Sequence, residues 1–433
     1  MLADVPIILI LVGLVAYTVL GGADFGAGFW ILVPGGGRTS PAATRDHARH
    51  AMGPVWEANH VWLIFVLVVC WTAYPVAFGS IMSTLSVPLF VAAVGIILRG
   101  ASYALRGQLD GAPRRRLIED VFALSSVLTP FALGTVVGGI ASGRVPVGNA
   151  QGDLFASWLN PTSVLTGALA VGTSSYLAAV YLAADARRVG ERTLELDFRA
   201  RALWTGVVAG ALAIGGLAVV RFDAEPIWRG LTSGAGLAMV SVSVAAGLVT
   251  LMLVWRSRFG AARVSAALAV AAIVAGWAFA QQPRFLPGLT IGQAAAGRST
   301  LIAVVIGGAV GATILVPSLI LLFGLFVRGR LDTGVGGGPP ILDVPSTATD
   351  LRRPHLVAAF LLACLSVGAP LTTLAQSGWA HAVGIACLCA FAASAFVLAA
   401  TIHDEQPDER IDVHRSTSRL RSSSSARGRR RLP

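Results

Sequence analysis

Long apolar runs separated by short polar segments make up most of the sequence. A helix that crosses a bilayer needs roughly 20 apolar residues, and about eleven runs meet that length. Alternation typical of strands is absent, so the pattern predicts an all-α, polytopic transmembrane bundle. The predicted cores are residues 6–33, 57–73, 78–98, 118–141, 162–184, 203–220, 234–255, 264–281, 300–327, 356–374 and 380–401.

The placement of arginine supports this number of spans and indicates an orientation. All 33 basic residues are arginines, and 28 of them lie after odd-numbered spans or in the C-terminal tail. One missed span would invert this alternation further along the chain. Because basic residues concentrate in cytoplasmic loops, we expect the N-terminus outside and the C-terminus in the cytoplasm.

Composition agrees with a multi-pass membrane protein: 55% of residues are hydrophobic, 13% are charged, and the mean hydropathy is +0.73. The net charge of +11 comes from loop and tail arginines, so topology explains it and no nucleic-acid partner is expected. The four cysteines lie inside apolar runs and lack the spacing of a disulfide framework or a metal site. The first run is too long, and its start too poor in positive charge, for a cleaved signal peptide.

The organisation changes after residue 327. Residues 1–327 are predicted to form a nine-helix membrane domain, and residues 328–355 a Gly/Pro-rich cytoplasmic linker. Residues 356–401 are predicted to add two transmembrane helices. Residues 402–433 are rich in serine and arginine and are expected to form a basic, disordered tail that attracts anionic membrane lipid.

An acidic residue lies inside the first span, in the motif GGADFGAG at residues 21–28. At 1.5 Å per residue Asp24 lies roughly 27 Å from Pro6, close to the cytoplasmic boundary. The glycines around it remove side-chain bulk and should let another helix approach closely. The alternative interpretation is that Asp24 only caps the span at the level of the lipid headgroups.

A second acid, Glu57, opens the next span in the motif MGPVWEANHVWLIF at residues 52–65. It is expected on the same side of the membrane as Asp24, and His60 shares its helical face. Two partly buried carboxyls on consecutive antiparallel helices fit a proton entry path, since burial brings their pKa towards neutrality. The alternatives are that the helix dipole favours Glu57 in the first turn, and that His60 is an interhelical hydrogen-bonding residue.

Several further residues are expected to shape this site, and the third span is expected to end at Arg99, in the cytoplasmic stretch RGASYALRG. Haem held between helices needs axial ligands that project from the spans, and only one of the seven histidines is near a membrane core. The chain is therefore expected to ligate no haem itself. The residues expected to shape the site around Asp24 and Glu57 are Trp56, Asn59, His60, Trp62, Arg99 and Ser102.

Four motifs between residues 20 and 107 carry a resemblance to a known family: GGADFGAG, GPVWEANHVWLI, WTAYPVAF and LRGASYALRG. In this order and spacing they resemble subunit II of cytochrome bd-type quinol oxidases. The resemblance implies a non-haem subunit in the bacterial cell (inner) membrane, paired with a subunit I that holds haem b and haem d. That complex oxidises quinol and reduces oxygen. Residues 328–433 are outside the resemblance.

The resemblance also implies roles for particular residues. Family acids in helices one and two, which match Asp24 and Glu57, help to admit protons from the cytoplasm. A third acid is often found where this chain has Ala104, so Ser102 or water is expected to bridge instead. Some family members hold a structural quinone in this subunit, which the sequence does not place, and a small accessory subunit is left open.

Two other functions compete with this interpretation. A proton-coupled transporter would also use sparse intramembrane acids, although such proteins commonly show internal repeats and sites near the midplane. No convincing repeat occurs here, and both acids lie near one face. An assembly scaffold without a proton role is the third possibility.

Overall fold

The computed structural model describes residues 2–35, 38–50, 55–105 and 112–327, and scattered residues between 360 and 394. After a short 3₁₀ turn at Leu2–Asp4, the elements follow one another in a nearly all-helical chain. They are α1 Val5–Ala16, a π-helical turn Tyr17–Gly21, α2 Gly22–Leu32, α3 Pro41–His50, α4 Val55–Ala73, α5 Pro75–Thr84, α6 Ser86–Leu105, α7 Ala112–Ala141, α8 Pro161–Arg188, α9 Arg192–Asp223, α10 Glu225–Leu231, α11 Gly234–Trp255, α12 Phe259–Gln281, β1 Arg284–Leu286, β2 Leu289–Thr290, α13 Ile291–Ala294 and α14 Arg298–Val327.

The helices confirm the predicted all-α membrane bundle. Eight segments are long and apolar enough to cross a membrane, and the shorter apolar helix Asn59–Ala73 adds a ninth within the described part of residues 1–327. The first span is one continuous segment, Leu2–Leu32, that runs through α1, the π turn and α2. The predicted linker, tenth and eleventh spans and tail lie outside the described residues, apart from scattered helical positions between 360 and 394.

The segment 38–50, which lies between the first two predicted spans, contains the helix α3. Its pattern explains why: Pro41 occupies the first turn, where its fixed φ favours a helix, and alanines follow it. The buried positions Thr44, His47 and Ala48 have helical spacing, so one face packs on the bundle. His47 Nε2 lies 3.0 Å from the carbonyl oxygen of Leu182. A hydropathy search misses such a helix because its average composition is polar.

A small β-hairpin joins α12 to α13, although no strand was expected. Strands β1 and β2 are antiparallel, with Arg284 opposite Thr290 and Leu286 opposite Leu289. Gly288 lies between them with φ of +75°, a backbone conformation that other residues rarely adopt. The strands have three and two residues, too few for alternation to be visible in the sequence.

A carboxylate joins three elements on the predicted outer side of the membrane. Asp223, at the end of α9, accepts two hydrogen bonds from Arg144, at 3.1 and 2.5 Å. It also accepts bonds from the backbone N–H and the hydroxyl of Thr162 in the first turn of α8, at 3.1 and 2.6 Å. A paired Arg–carboxylate fork has high geometric specificity, so this contact fixes the α7–α8 connection against α9.

The elements that position the candidate site are α2, α6, α7 and α8. Helix α2 packs against α7 and α8, and α6 packs against α7. Buried residues of α8 and α9 form one apolar core that includes Leu177, Val180, Phe198 and Ala202. The first span therefore lies against other helices over its second half, where Asp24 is located.

Candidate functional site

The backbone of α2 touches its neighbours directly, as the glycines of GGADFGAG predicted. A Cβ atom added to Gly26 would overlap the carbonyl group of Ser174 on α8 and lie 2.7 Å from the Ala178 Cβ atom. A Cβ atom on Gly28 would overlap the side chain of Ser126 on α7. Small residues at helix contacts permit this distance of approach in membranes. The glycines therefore fix Asp24, between them in the chain, relative to α7 and α8.

Asp24 forms a buried ion pair with Arg99 of α6. The distance from Arg99 Nη2 to Asp24 Oδ1 is 2.6 Å, and the two side chains are 1% and 7% exposed. The same Nη2 donates to the backbone oxygen of Asp24 at 3.1 Å. The carboxylate of Asp24 is thus enclosed by protein and paired with a cation.

Arg99 makes further contacts with α2 and α7. Its Nη1 donates to Ser126 Oγ, and its Cζ lies 4.9 Å from the ring centroid of Phe25 and 4.3 Å from that of Phe122. Cation–π contacts of this kind strengthen when they are desolvated. The expectation that Arg99 ends the span in a cytoplasmic stretch is thus wrong, because α6 continues to Leu105 and buries the guanidinium.

Three rings lie beside the ion pair and enclose the π turn of the first span. Tyr17 and Phe25 have ring centroids 6.3 Å apart, and His60 of α4 lies 6.1 Å from Tyr17 and 6.0 Å from Phe25. Asn59 Nδ2 donates to the carbonyl oxygen of Leu20 in the π turn, at 3.4 Å. His60 and Asn59, both expected at the site, are thus located next to Asp24. Tyr17 was not expected, because one tyrosine in an apolar run carries no signal.

Buried polar atoms without a hydrogen-bonding partner are concentrated here. Asp24 Oδ2, the Tyr17 hydroxyl and Asn59 Oδ1 are all buried, and none has a partner among the described residues. Such atoms carry a desolvation cost of about 1–3 kcal/mol each unless water or another group satisfies them. We define these three side chains as the polar cluster. Together they have unused hydrogen-bonding capacity for water or for a transferred proton.

The backbone of Glu57 belongs to α4, which runs antiparallel to the first span. Two contacts define this alignment: Asn59 reaches Leu20, and a Cβ atom on Gly13 would lie 3.6 Å from the carbonyl oxygen of Trp62. Towards the predicted cytoplasmic end, the start of α4 therefore approaches the level of Asp24. The side chains of residues 55–58, including Trp56 and Glu57, lie outside the described part of the structure.

Two further expected residues, Trp62 and Ser102, lie on α4 and α6. Trp62 is half-buried and packs edge-on against Phe65, with centroids 6.5 Å apart. Ser102 is buried on α6, one turn after Arg99. Ala104, where the resemblance led us to look for a third acid, is exposed on the surface of this chain.

A large apolar cavity of about 970 Å³ lies beside this region, between the first span and α7, α8, α9, α11 and α12. Its walls are mostly aliphatic and small side chains, and Tyr17 and Ser174 are among the few polar residues that border it near α2. Gln281, Gln282 and Arg284 border it near the hairpin. Sites for apolar ligands have this composition: a hydrophobic lining with a few polar groups.

Comparison with known proteins identifies the family. The family model for cytochrome bd terminal oxidase subunit II matches residues 2–326. Cytochrome bd ubiquinol oxidase subunit 2 of Bacillus subtilis is 27% identical over 169 residues, which are 38% of this chain and 48% of that protein. Cytochrome bd-I ubiquinol oxidase subunit 2 of Escherichia coli is 26% identical over 196 residues, 44% of this chain and 49% of that protein.

These alignments span about half the length of the curated relatives. The fold is similar to a chain in the structure of bd oxidase from Geobacillus thermodenitrificans, with a TM-score of 0.60 and 23% identity. That similarity covers 76% of this chain and 99% of the other. With the family model matched over the nine spans, the chain belongs to the cytochrome bd terminal oxidase subunit II family.

Proposed function

We propose that this chain is the non-haem subunit of a cytochrome bd-type quinol:oxygen oxidoreductase, and that Asp24 conducts cytoplasmic protons towards the oxygen-reduction site. One observation carries the proton role: a buried carboxylate with Oδ1 held by Arg99 and Oδ2 without a partner among the described residues. Ionisable side chains inside membrane helices are costly and mark ion or proton pathways. Arg99 fixes one oxygen in position and leaves the other to accept and release a proton.

The partner in this proposal is a haem-bearing subunit I, and the complex takes up quinol and oxygen in the bacterial inner membrane. The haems b and d of that subunit supply electron transfer and oxygen reduction. The described part of this chain does not fit a haem with two axial histidines. His60 faces Tyr17 and Phe25, whereas His47 bonds Leu182 and His50 contacts Asp46 on α3.

The side chains of this chain have separate tasks along the route. Glu57 receives the proton at the cytoplasmic end, and Asp24 holds it on the oxygen that Arg99 leaves unoccupied. Asn59 and His60 provide polar atoms on α4 beside Asp24, in a place where helix packing excludes bulk water. Proton transfer between fixed groups needs hydrogen-bond reach, directly or through one water.

Three further side chains belong to the surroundings of the route. Trp56 and Trp62 flank the acid on α4 and limit access of lipid and solvent. Ser102 lies on α6 towards the cytoplasm from Arg99, where a hydroxyl and water replace the third acid that is absent at Ala104.

The cavity is the place where this chain would hold a structural quinone. Its apolar lining and volume of about 970 Å³ suit a polyprenyl tail, and Gln281 and Gln282 would donate hydrogen bonds to ring carbonyl oxygens.

Gly210 lines the cavity and Gly215 does not, and a Cβ atom at either glycine would meet open space. Gly210→Leu should therefore lower the quinone that mass spectrometry finds in organic extracts of the purified complex, and Gly215→Leu should not. Equal quinone content in the two variants would contradict this assignment.

Co-purification tests the subunit role. A tagged form of this chain, extracted in mild detergent, should bring with it a haem-bearing membrane protein that shows a reduced-minus-oxidised spectrum of haems b and d. Mass spectrometry of the same sample would reveal a small accessory subunit and bound membrane lipid. A chain that purifies alone and takes up a substrate into vesicles would instead support the transporter.

The proton role of Glu57 is tested by Glu57→Gln, which removes the titratable group and keeps the size. We expect slower oxygen consumption with quinol, with haem content and assembly largely intact. The matched control is Asp46→Asn, which neutralises an exposed carboxylate on the adjacent helix α3. Unchanged turnover in Glu57→Gln would remove Glu57 from the route, and loss of all haem would make its role structural.

A further inference from the structure

Tyr17 lies at the junction of a π turn, a buried charge and an apolar cavity, and the proposed function has not assigned it a role. The π turn Tyr17–Gly21 interrupts the first span and ends three residues before Asp24. Turns of this kind are rare and frequently occur at functional sites, because they shift a side chain and loosen backbone hydrogen bonds. Here the turn directs the Tyr17 ring towards Phe25 and His60.

The tyrosine is buried in a position that a phenylalanine would fill equally well. Its residue is 7% exposed, and its hydroxyl has no hydrogen-bonding partner among the described residues. Tyr17 also lines the apolar cavity, which offers the hydroxyl no hydrogen bond. Buried hydroxyls in native proteins are nearly always satisfied, so this hydroxyl is expected to meet a group that the described residues do not supply.

The hydroxyl shares its surroundings with the other two members of the polar cluster. The Tyr17 ring centroid lies 6.3 Å from that of Phe25, the residue that follows Asp24 in the chain. Asn59 bonds the π turn through Nδ2 and leaves Oδ1 unused among the described residues. A buried water needs two to four polar partners, and this cluster supplies a hydroxyl, a carboxylate oxygen and an amide oxygen. A water placed among these three atoms would satisfy each of them.

We infer that Tyr17 is a positioning residue that holds an ordered water against Asp24 Oδ2, and that this water is the first carrier of the proton beyond Asp24. The inference rests on the proposed function, since it extends the same route. Seven residues separate Tyr17 from Asp24, which is roughly 10 Å along the helix towards the membrane interior. The proton leaves the Asp24 carboxyl for the water, the water releases one of its protons onward, and Asp24 is protonated again from the cytoplasmic side.

Tyr17→Phe in the whole complex tests this role, because it keeps the ring and removes only the hydroxyl. Loss of one hydrogen bond to the water should lower turnover with quinol roughly three- to tenfold. The KM for quinol should stay unchanged, and the solvent isotope effect in D₂O should rise because proton transfer becomes more rate-limiting. Infrared difference spectra should show a shifted carbonyl band for the Asp24 carboxyl. The matched control is Tyr181→Phe, a half-buried tyrosine of α8 outside both the polar cluster and the lining of the cavity, which should change turnover less than twofold.

The outcomes separate this inference from the proposed function. If Asp24→Asn slows turnover and Tyr17→Phe does not, the positioning role is overturned and the proton role of Asp24 stands. If neither variant changes turnover or the isotope effect, both are overturned. Should Tyr17→Phe fail to assemble, a high-resolution structure of the unaltered complex decides: an ordered water between the Tyr17 hydroxyl and Asp24 supports the inference, and a direct bond from that hydroxyl to a lipid or partner side chain overturns it.

Discussion

The ion pair between Asp24 and Arg99 has two possible roles, helix packing and proton conduction, and a double variant separates them. Asp24→Asn leaves Arg99, which is 1% exposed, without a counter-ion. Removing one partner of a buried pair typically costs about 3–5 kcal/mol, because an uncompensated charge remains. Arg99 keeps the Asp24 carbonyl at 3.1 Å and the rings of Phe25 and Phe122, so we expect the lower end of this range.

Arg99→Met removes the cation and leaves the carboxylate buried, with a comparable loss of stability. In the double variant Asp24→Asn/Arg99→Met no charge remains, and Ser126 keeps its bond to the Phe122 carbonyl at 2.6 Å. Neutral replacements of buried pairs are often tolerated, so most of the stability should return. The two substitutions should therefore be non-additive by about 2–3 kcal/mol, in the range expected for contacting residues.

Two assays on the purified complex separate the roles: the midpoint of thermal inactivation and oxygen consumption with excess quinol. A proton-conducting Asp24 predicts that the double variant regains the midpoint while its turnover stays low. The matched control is Asp223→Asn, which breaks the ion pair with Arg144 on the predicted outer side. That pair is less deeply buried than Asp24 and Arg99, so the control should lower the midpoint by a smaller amount and leave turnover within twofold. Recovery of both midpoint and turnover in the double variant would refute the proton role of Asp24.

Three further predictions follow from the packing around the site. Gly26→Ala should lower the inactivation midpoint markedly because its Cβ atom would overlap the Ser174 carbonyl group, whereas Gly215→Ala, which meets open space, should leave it unchanged or higher. Ala104→Asp should change turnover less than twofold, since this position is exposed on the chain and away from the polar cluster; a large gain would show that the third acid is needed. Asp197→Asn should increase protease cleavage between the first and second spans. The Asp197 carboxylate accepts hydrogen bonds from the backbone N–H groups of residues 38 and 39, at 3.0 and 2.8 Å, and the variant weakens them. Equal cleavage of the variant and the unaltered protein would contradict this.

Hydropathy and charge were sufficient to predict the nine spans, because the hydropathy of a span and the charge of its loops can be read from that segment alone. The structure confirms them, together with the close approach at Gly26 and Gly28. Contacts between helices were less accessible to sequence reasoning. Arg99 was expected at the site but at the cytoplasmic end of its span, because a search along one chain segment does not see the carboxylate and rings that α2 and α7 supply.

The same limit applies to Tyr17 and to α3. A tyrosine in an apolar run is compatible with any lipid-facing or buried position, and only the geometry of the π turn and α4 distinguishes it. Helix α3 is short and polar on average, and its buried face at Thr44, His47 and Ala48 gains meaning only against the bundle. The functional interest of Asp24 could be predicted from the sequence, because an acidic side chain within a membrane segment costs free energy whichever way it points.

The contact between Gly26 and Ser174 joins two main chains, and this has an evolutionary consequence. Substitutions elsewhere on α8 replace side chains but preserve the backbone that sets where Asp24 lies. Sequences in this family can therefore diverge over most of the helix surface and still place the acid at the same coordinates. Identity near 25% between distant members is compatible with one conserved geometry, provided that the position facing the carbonyl group has no side chain.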